Sequence, residues 1–132
     1  MWSLGCVFAE LLNQSVLFPG QGEVDQLHRM FRLLGAPDEQ SWPGYSLLPH
    51  AGTLKFKGPA KSRLRDEFPS NSFSGKTYLD GEGLDLLQGM LRCDPGQRNT
   101  AGECEKHGYF SKAPHPSKVK WNFKSEREGE KD

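Results

Sequence analysis

Met1-Trp2-Ser3-Leu4-Gly5-Cys6-Val7-Phe8-Ala9-Glu10, continued by Leu11 and Leu12, is the stretch that decides how this sequence is read. Trp2, Leu4, Val7, Phe8, Leu11 and Leu12 place apolar side chains on nearly every side of a helix expected to run to about Asn13. A helix that is apolar all round belongs inside a domain. It is too short to cross a membrane, which takes about 20 apolar residues. Chain termini usually lie on the surface, so a chain that opens on a core helix is unusual.

The next elements follow from periodicity and turn chemistry. Gln14–Gly22 reads as a loop with a Pro19-Gly20 turn, and Val16, Leu17 and Phe18 are expected to pack back on the helix. A second helix begins near Glu23. Val24, Leu27, Phe31 and Leu34, with Met30 beside them, form one apolar stripe. Glu23 and Asp25 suit its positive end, and Arg29 and Arg32 its negative end. Gly35 and Pro37 stop it. Asp38–Trp42 is expected to form a helical turn. Beyond it Pro43, Gly44, Pro49, Gly52, Gly58, Pro59 and Pro69 break up the pattern, leaving one short helix marked by Leu64 and Phe68. A loop-rich stretch of this length inside a domain is often functional. Lys55, Lys57, Lys61, Arg63 and Arg65 make it locally basic: either a solvated face or a docking surface for an acidic partner.

A third helix is expected from Gly81 to Arg92, capped by Asp80 and buried through Leu84, Leu87 and Leu91, with Leu86 and Met90 on its flank. Thr100-Ala101-Gly102-Glu103 fits a capping box that starts a fourth helix, expected to end near His107-Gly108. Tyr109 and Phe110 then read as anchors into the core. The run from Ser125 to Asp132 is almost wholly polar and is expected to be disordered. No strand is expected, so the fold class is mainly α.

Bulk properties narrow the function classes. The 132 residues hold 17 basic and 17 acidic side chains, a net charge of zero. That gives no global footprint for nucleic acid or a membrane surface. Three cysteines, Cys6, Cys93 and Cys104, are odd in number and widely spaced, as expected for reduced thiols in an intracellular protein, nuclear or cytoplasmic. The four histidines are scattered, and no acidic residues cluster at metal-pair spacing. Gly20-Gln21-Gly22 follows a Pro turn, not a strand, and is a weak phosphate-loop signal. No catalytic, cofactor-binding or metal residue is assigned.

Four stretches, in order, resemble the C-terminal lobe of a eukaryotic Ser/Thr protein kinase. Trp2 to Leu12 is similar to that lobe's central buried helix. Leu17-Phe18-Pro19-Gly20, then Glu23 to Leu27 and Leu33-Leu34-Gly35-Ala36-Pro37, resemble the following helix and its exit in the cyclin-dependent kinase group. Trp42-Pro43-Gly44-Tyr45 with Leu48-Pro49 resembles the insert of that group. Asp94-Pro95-Gly96-Gln97-Arg98, Thr100-Ala101 and His107-Gly108-Tyr109-Phe110 resemble the last helical segment. The Trp-Pro-Gly-Tyr run and the spacing of Pro114 and Pro116 after Tyr109-Phe110 point to the PITSLRE-like members.

The resemblance implies a partial kinase domain over residues 1–116, with an insert at about 42–80; the charged tail at 117–132 is expected to be disordered. It implies, for the parent family, phosphoryl transfer from ATP with Mg2+, and a cyclin or other regulatory partner. It also implies that the Gly-rich loop, the nucleotide-binding lysine, H-R-D, D-F-G and A-P-E lie upstream of Met1, because none occurs in this sequence. The chain alone is therefore expected to lack ATP binding and catalysis, to need no cofactor and to be unstable alone; the alternative is a stand-alone protein-interaction module. Trp2, Gly5 and Arg98 carry structural roles by resemblance. Glu23, Asp25, Lys55 and Lys57 are candidate partner-docking residues. Arg98 matches the arginine that pairs with the A-P-E glutamate, so it is expected to find solvent or another acid, or else to cost about 3–5 kcal/mol as an orphaned charge. Glu105 stands where the family usually has a buried leucine, so a costly carboxylate is expected there unless it is paired.

Overall fold

A computed structural model describes residues 1–70 and 77–112. Among these residues there is no strand. The helices are α1 (Trp2–Asn13), α2 (Glu23–Leu34), α3 (Leu64–Glu67), α4 (Gly81–Met90) and α5 (Ala101–Glu105), with 3-10 turns at Tyr45–Leu47 and Gly108–Ser111. The fold is mainly α, as its periodicities indicate. The polar run at the C-terminus lies outside the described residues.

Local chemistry explains the helix ends. Asp80 accepts a hydrogen bond from the Gly83 N–H at 2.7 Å and caps α4. Thr100 and Glu103 close a reciprocal capping box on α5. Gly35 ends α2 with φ 96° and donates to the Phe31 carbonyl, a conformation that favours glycine. α1 ends at Gln14, which takes a left-handed conformation at φ 52°. The expected turn at Asp38–Trp42 is present as a Trp42 N–H to Asp38 carbonyl bond of 2.8 Å. α4 stops at Met90 and α5 at Glu105, each short of the expected end; beyond α5, His107 caps the next turn instead.

α4 is the middle of the core. Leu84, Leu86, Leu87, Met90 and the following Leu91 are all buried. Ala9, Leu64, Phe68 and Leu79 join Leu84, Leu87 and Leu91 in one cluster, and Cys104 joins Leu86 and Met90 in another. α1 lies against α4 through its small residues. A Cβ placed on Gly5 would stand 2.9 Å from the Met90 Cβ and 3.0 Å from Leu91 Cδ2, so only glycine permits this approach. Thr77 adds a hydroxyl bond to the Leu12 carbonyl at 2.8 Å.

The other side of α1 is not packed. Gly5 and Ala9 are its buried residues. Leu4, Val7 and Leu11 are 54%, 48% and 74% exposed. Their spacing of three and four puts them in one stripe, and no described element covers it. The helix reads as a buried one that, in the chain alone, exposes apolar surface; this stripe is that exposed surface. Phe18 packs, stacked on Trp2 with centroids 6.3 Å apart, but Val16 points out and is exposed. Val24, at the head of the α2 stripe, is also half-exposed, while Phe31 is buried. Phe110 is not a core anchor: it is 48% exposed and meets Tyr109 edge-on. Tyr109 does the packing, against Phe8 at 5.6 Å. Glu105 is exposed at the end of a helix only five residues long, so the expected buried carboxylate does not arise.

Candidate functional site

Two surfaces are built from the residues that the sequence singled out. The first joins Trp2, Gly5 and Arg98 at the C-terminal end of α4. Gly5 lets α1 approach α4, which brings Trp2 to Arg98, the guanidinium carbon lying 5.1 Å from the indole centroid. That is within cation–π range. Arg98 Nε donates to the Arg92 carbonyl at 2.9 Å, and an Nη donates to the Cys93 carbonyl at 3.2 Å. Helix C-termini leave their last carbonyls unpaired and carry partial negative charge. Arg98 satisfies two of the carbonyls just past α4. Among the described residues, no acid is among its hydrogen-bond partners. Of the expected outcomes, solvent, another acid or an orphaned charge, Arg98 shows partial exposure to solvent, with carbonyl oxygens and an aromatic face as its described partners. Sequence reasoning missed this because main-chain acceptors carry no residue signature.

The second surface is α2 with the insert laid on it. Phe56 meets Phe31 at 4.9 Å and His28 at 5.0 Å, both edge-on. The following backbone stays close. Ala36 N–H donates to the Pro59 carbonyl at 3.2 Å, and Arg63 N–H to the Leu33 carbonyl at 2.7 Å. A Cβ on Gly58 would stand 2.6 Å from the Phe31 carbonyl oxygen, so the insert can close on α2 only with glycine there. Lys55 and Lys57 flank Phe56 and are exposed. Phe56 was not singled out in the sequence; an aromatic between two lysines was the available signal.

Glu23 and Asp25 sit in the first turn of α2. Glu23 is exposed. Asp25 accepts from Arg29 Nε at 2.8 Å and from the Gln21 N–H at 3.0 Å. Its carboxyl lies below the usual range, first because of the Arg29 bond and then because of the Gln21 amide. Asp25 is thus engaged within the helix, while Glu23, Lys55 and Lys57 face solvent.

Burial pushes the Cys6 and Cys93 thiols up, with the Glu10 charge adding to the effect at Cys6 and Arg98 opposing it at Cys93. His107 Nδ1 accepts from the Tyr109 N–H at 3.2 Å, so its Nε2 carries the proton toward Asp85 at 3.1 Å. Among the described residues, no three His, Cys, Asp or Glu side chains converge as a metal site, and no helix is long and apolar enough to cross a membrane.

The protein kinase domain family matches residues 1–110. The chain belongs to the protein kinase domain family. Within it, the similarity is to cyclin-dependent Ser/Thr kinases. Cyclin-dependent kinase G-1 of Oryza sativa subsp. indica is 48% identical over 116 residues, covering 88% of this chain and 17% of the relative. Cyclin-dependent kinase 11B of Homo sapiens is 39% identical over 132 residues, 97% of this chain and 16% of the relative. Serine/threonine-protein kinase ppk23 of Schizosaccharomyces pombe is 39% identical over 133 residues, 98% of this chain and 31% of the relative. The chain thus spans between about a sixth and a third of the length of these relatives.

Proposed function

We propose that this chain is the C-terminal-lobe portion of a cyclin-dependent-type Ser/Thr kinase, over residues 1–116, and that by itself it neither binds ATP nor transfers phosphate. One observation carries the reading. The sequence holds the helices that support a kinase active site, yet contains no Gly-rich loop, H-R-D, D-F-G or A-P-E. Those motifs position the nucleotide, the metal and the catalytic base, so without them no group here can orient a phosphoryl donor. The described residues do not fit the Mg2+ of the family's reaction either, since no acidic set converges. No step is derived through it.

The bare stripe of Leu4, Val7 and Leu11 supports the same reading. Exposed apolar faces of this kind mark contact surfaces, and the central helix of a kinase lobe is wrapped by the rest of the domain. In the whole kinase, activity is ATP-dependent transfer to protein Ser or Thr, with a cyclin as the regulatory partner, in the nucleus or cytoplasm.

The alternative, a stand-alone interaction module, is favoured by the second surface. Phe56 pins the insert to α2 and leaves Glu23, Lys55 and Lys57 facing solvent as docking groups. A single pair of measurements tests the kinase-part reading. The purified chain is expected to show no Mg-ATP-dependent thermal shift and no phosphotransfer to Ser/Thr peptides. Phosphotransfer by a preparation free of other kinases would overturn the kinase-part reading.

A further inference from the structure

Asp80–Gly81 is the single place in the sequence where an aspartate is followed by glycine. The fold places a nucleophile and an electrophile there. Asp80 caps α4, and Gly81 is its first helical residue. The first N–H groups of a helix have no acceptor within it, and among the described residues the Gly81 N–H has none. A Cβ built on Gly81 meets nothing within 4 Å, so no neighbour shields this nitrogen. The Asp80 carboxyl carbon is one five-membered ring closure away from it.

Two restraints keep the pair apart. The first is the engagement of both carboxylate oxygens. Oδ1 accepts from the Gly83 N–H at 2.7 Å, and Oδ2 accepts from Lys112 Nζ at 3.0 Å. The Gly83 bond first, and then the Lys112 bond, hold the carboxyl below the usual carboxylate range, and an ionised carboxylate is a poor electrophile. The second restraint is the backbone. At ψ 178° the Gly81 nitrogen is staggered from the Asp80 Cβ, whereas ring closure needs the two eclipsed. Lys112 follows the 3-10 turn Gly108–Ser111, and that turn is strapped to α4. His107 Nε2 meets Asp85 at 3.1 Å, and Lys112 also reaches Glu82 at 3.2 Å. Tyr109 lies over Gly83, where a Cβ would stand 3.0 Å from the Tyr109 Cε2. Opening the strap takes Lys112 away and loosens the cap.

We infer that Asp80–Gly81 is a self-modification site guarded by this strap, and that when the strap opens Asp80 isomerises to isoaspartate through a succinimide. The Gly81 nitrogen bonds to Asp80 Cγ, and its proton leaves as water with the hydroxyl of the protonated carboxyl. Water then adds to one of the two ring carbonyls. Addition at Cγ restores aspartate. Addition at the main-chain carbonyl carbon breaks its bond to the Gly81 nitrogen and leaves the chain running through Cβ. No oxidant or cofactor enters. The isoaspartate form carries one extra methylene in the main chain at the start of the core helix, so the original cap cannot re-form. This inference does not depend on the kinase-part reading.

The full chain is aged at neutral pH, in buffer and in concentrated urea. The peptide holding residue 80 is then assayed for isoaspartate by chromatography with electron-transfer fragmentation. Isoaspartate is expected to accumulate at Asp80 in urea, and about tenfold more slowly in buffer, the factor set by a capping bond. Lys112→Gln is expected to speed the reaction in buffer about twofold to fivefold, the span of an exposed ion pair, and to leave the urea rate unchanged. Lys112 is half-exposed, so the substitution leaves the core intact, which circular dichroism checks. Lys112→Arg keeps the ion pair and is expected to age as the unaltered chain does. Equal rates in buffer and urea overturn the inference, as does an absence of isoaspartate at Asp80 in urea. So does a Lys112→Gln chain that ages no faster than the unaltered one, or an acceleration that Lys112→Arg shares.

Discussion

Replacing Gly5 by alanine tests the packing on which the lobe depends. Two effects oppose each other. Alanine within a helix is favoured over glycine by up to about 1 kcal/mol. Against this, the new methyl would lie 2.9 Å from the Met90 Cβ and 3.0–3.1 Å from two Leu91 side-chain carbons. Carbon atoms rest at about 3.5–4.0 Å. Met90 Cβ is attached to the α4 backbone and cannot swing away, so α1 or α4 must move by roughly half an ångström or more. Overpacking of this kind costs about 1–3 kcal/mol. The steric term wins, leaving a net loss of about 1 kcal/mol, which in a domain of this size lowers Tm by about 3–5 °C. Gly102 provides the matched control. A Cβ there meets nothing within 4 Å and φ is not positive, so Gly102→Ala is expected to raise stability by about 0.5 kcal/mol. Thermal unfolding followed by circular dichroism reads both. If Gly5→Ala raises Tm as Gly102→Ala does, the close approach of α1 to α4 is wrong.

Three further outcomes follow from the same contacts. Arg98→Met removes two carbonyl bonds and the Trp2 contact and is expected to cost about 1–3 kcal/mol. Lysine at that position should not restore it, because it lacks the planar fork, and full rescue by Arg98→Lys would contradict the assignment. Changing Leu4, Val7 and Leu11 together to serine is expected to change monomer stability by less than about 1 kcal/mol in total while lowering self-association in sedimentation velocity; a large loss of stability would mean the stripe is covered in the isolated chain. Asp25, Asp80 and Glu103 all have carboxyls held below their ordinary values, by Arg29 and Gln21, by Gly83 and Lys112, and by Thr100, respectively. A group with a lowered folded pKa stabilises above its unfolded value, 3.8 for Asp and 4.5 for Glu, and that contribution is lost as pH falls through the folded value. The urea midpoint should therefore stay level from neutrality to about pH 5 and fall below that, with a shallower acid fall in Asp80→Asn, whose amide still caps α4 but no longer titrates.

Much of the helical scaffold is legible in the sequence because its signals are local. The apolar spacing of Val24 to Leu34 and the stop at Gly35 define α2; Asp80 and the Thr100–Glu103 box start α4 and α5 through bonds to amides three residues away. What the sequence does not carry is which side of an element meets another. α1 is apolar in composition on all sides, but composition cannot say that only the Gly5–Ala9 side meets α4 and that Leu4, Val7 and Leu11 stay bare. Phe110 and Glu105 were misread for the same reason. The partners of Arg98 are carbonyl oxygens, which any residue supplies, so no pattern search finds them. Phe56 reaches α2 from more than twenty residues away.

The central claim is that α1 is the hub of a kinase lobe whose bare face is meant for the rest of a kinase domain. Co-expression of this chain with the kinase-domain portion of cyclin-dependent kinase G-1 that precedes the matched region, as a separate tagged polypeptide, tests it most directly. The account predicts a one-to-one complex on size exclusion that is lost when Leu4, Val7 and Leu11 are changed to serine. A complex that forms equally well with the serine variant, or none with the unaltered chain when both partners are soluble, would contradict it.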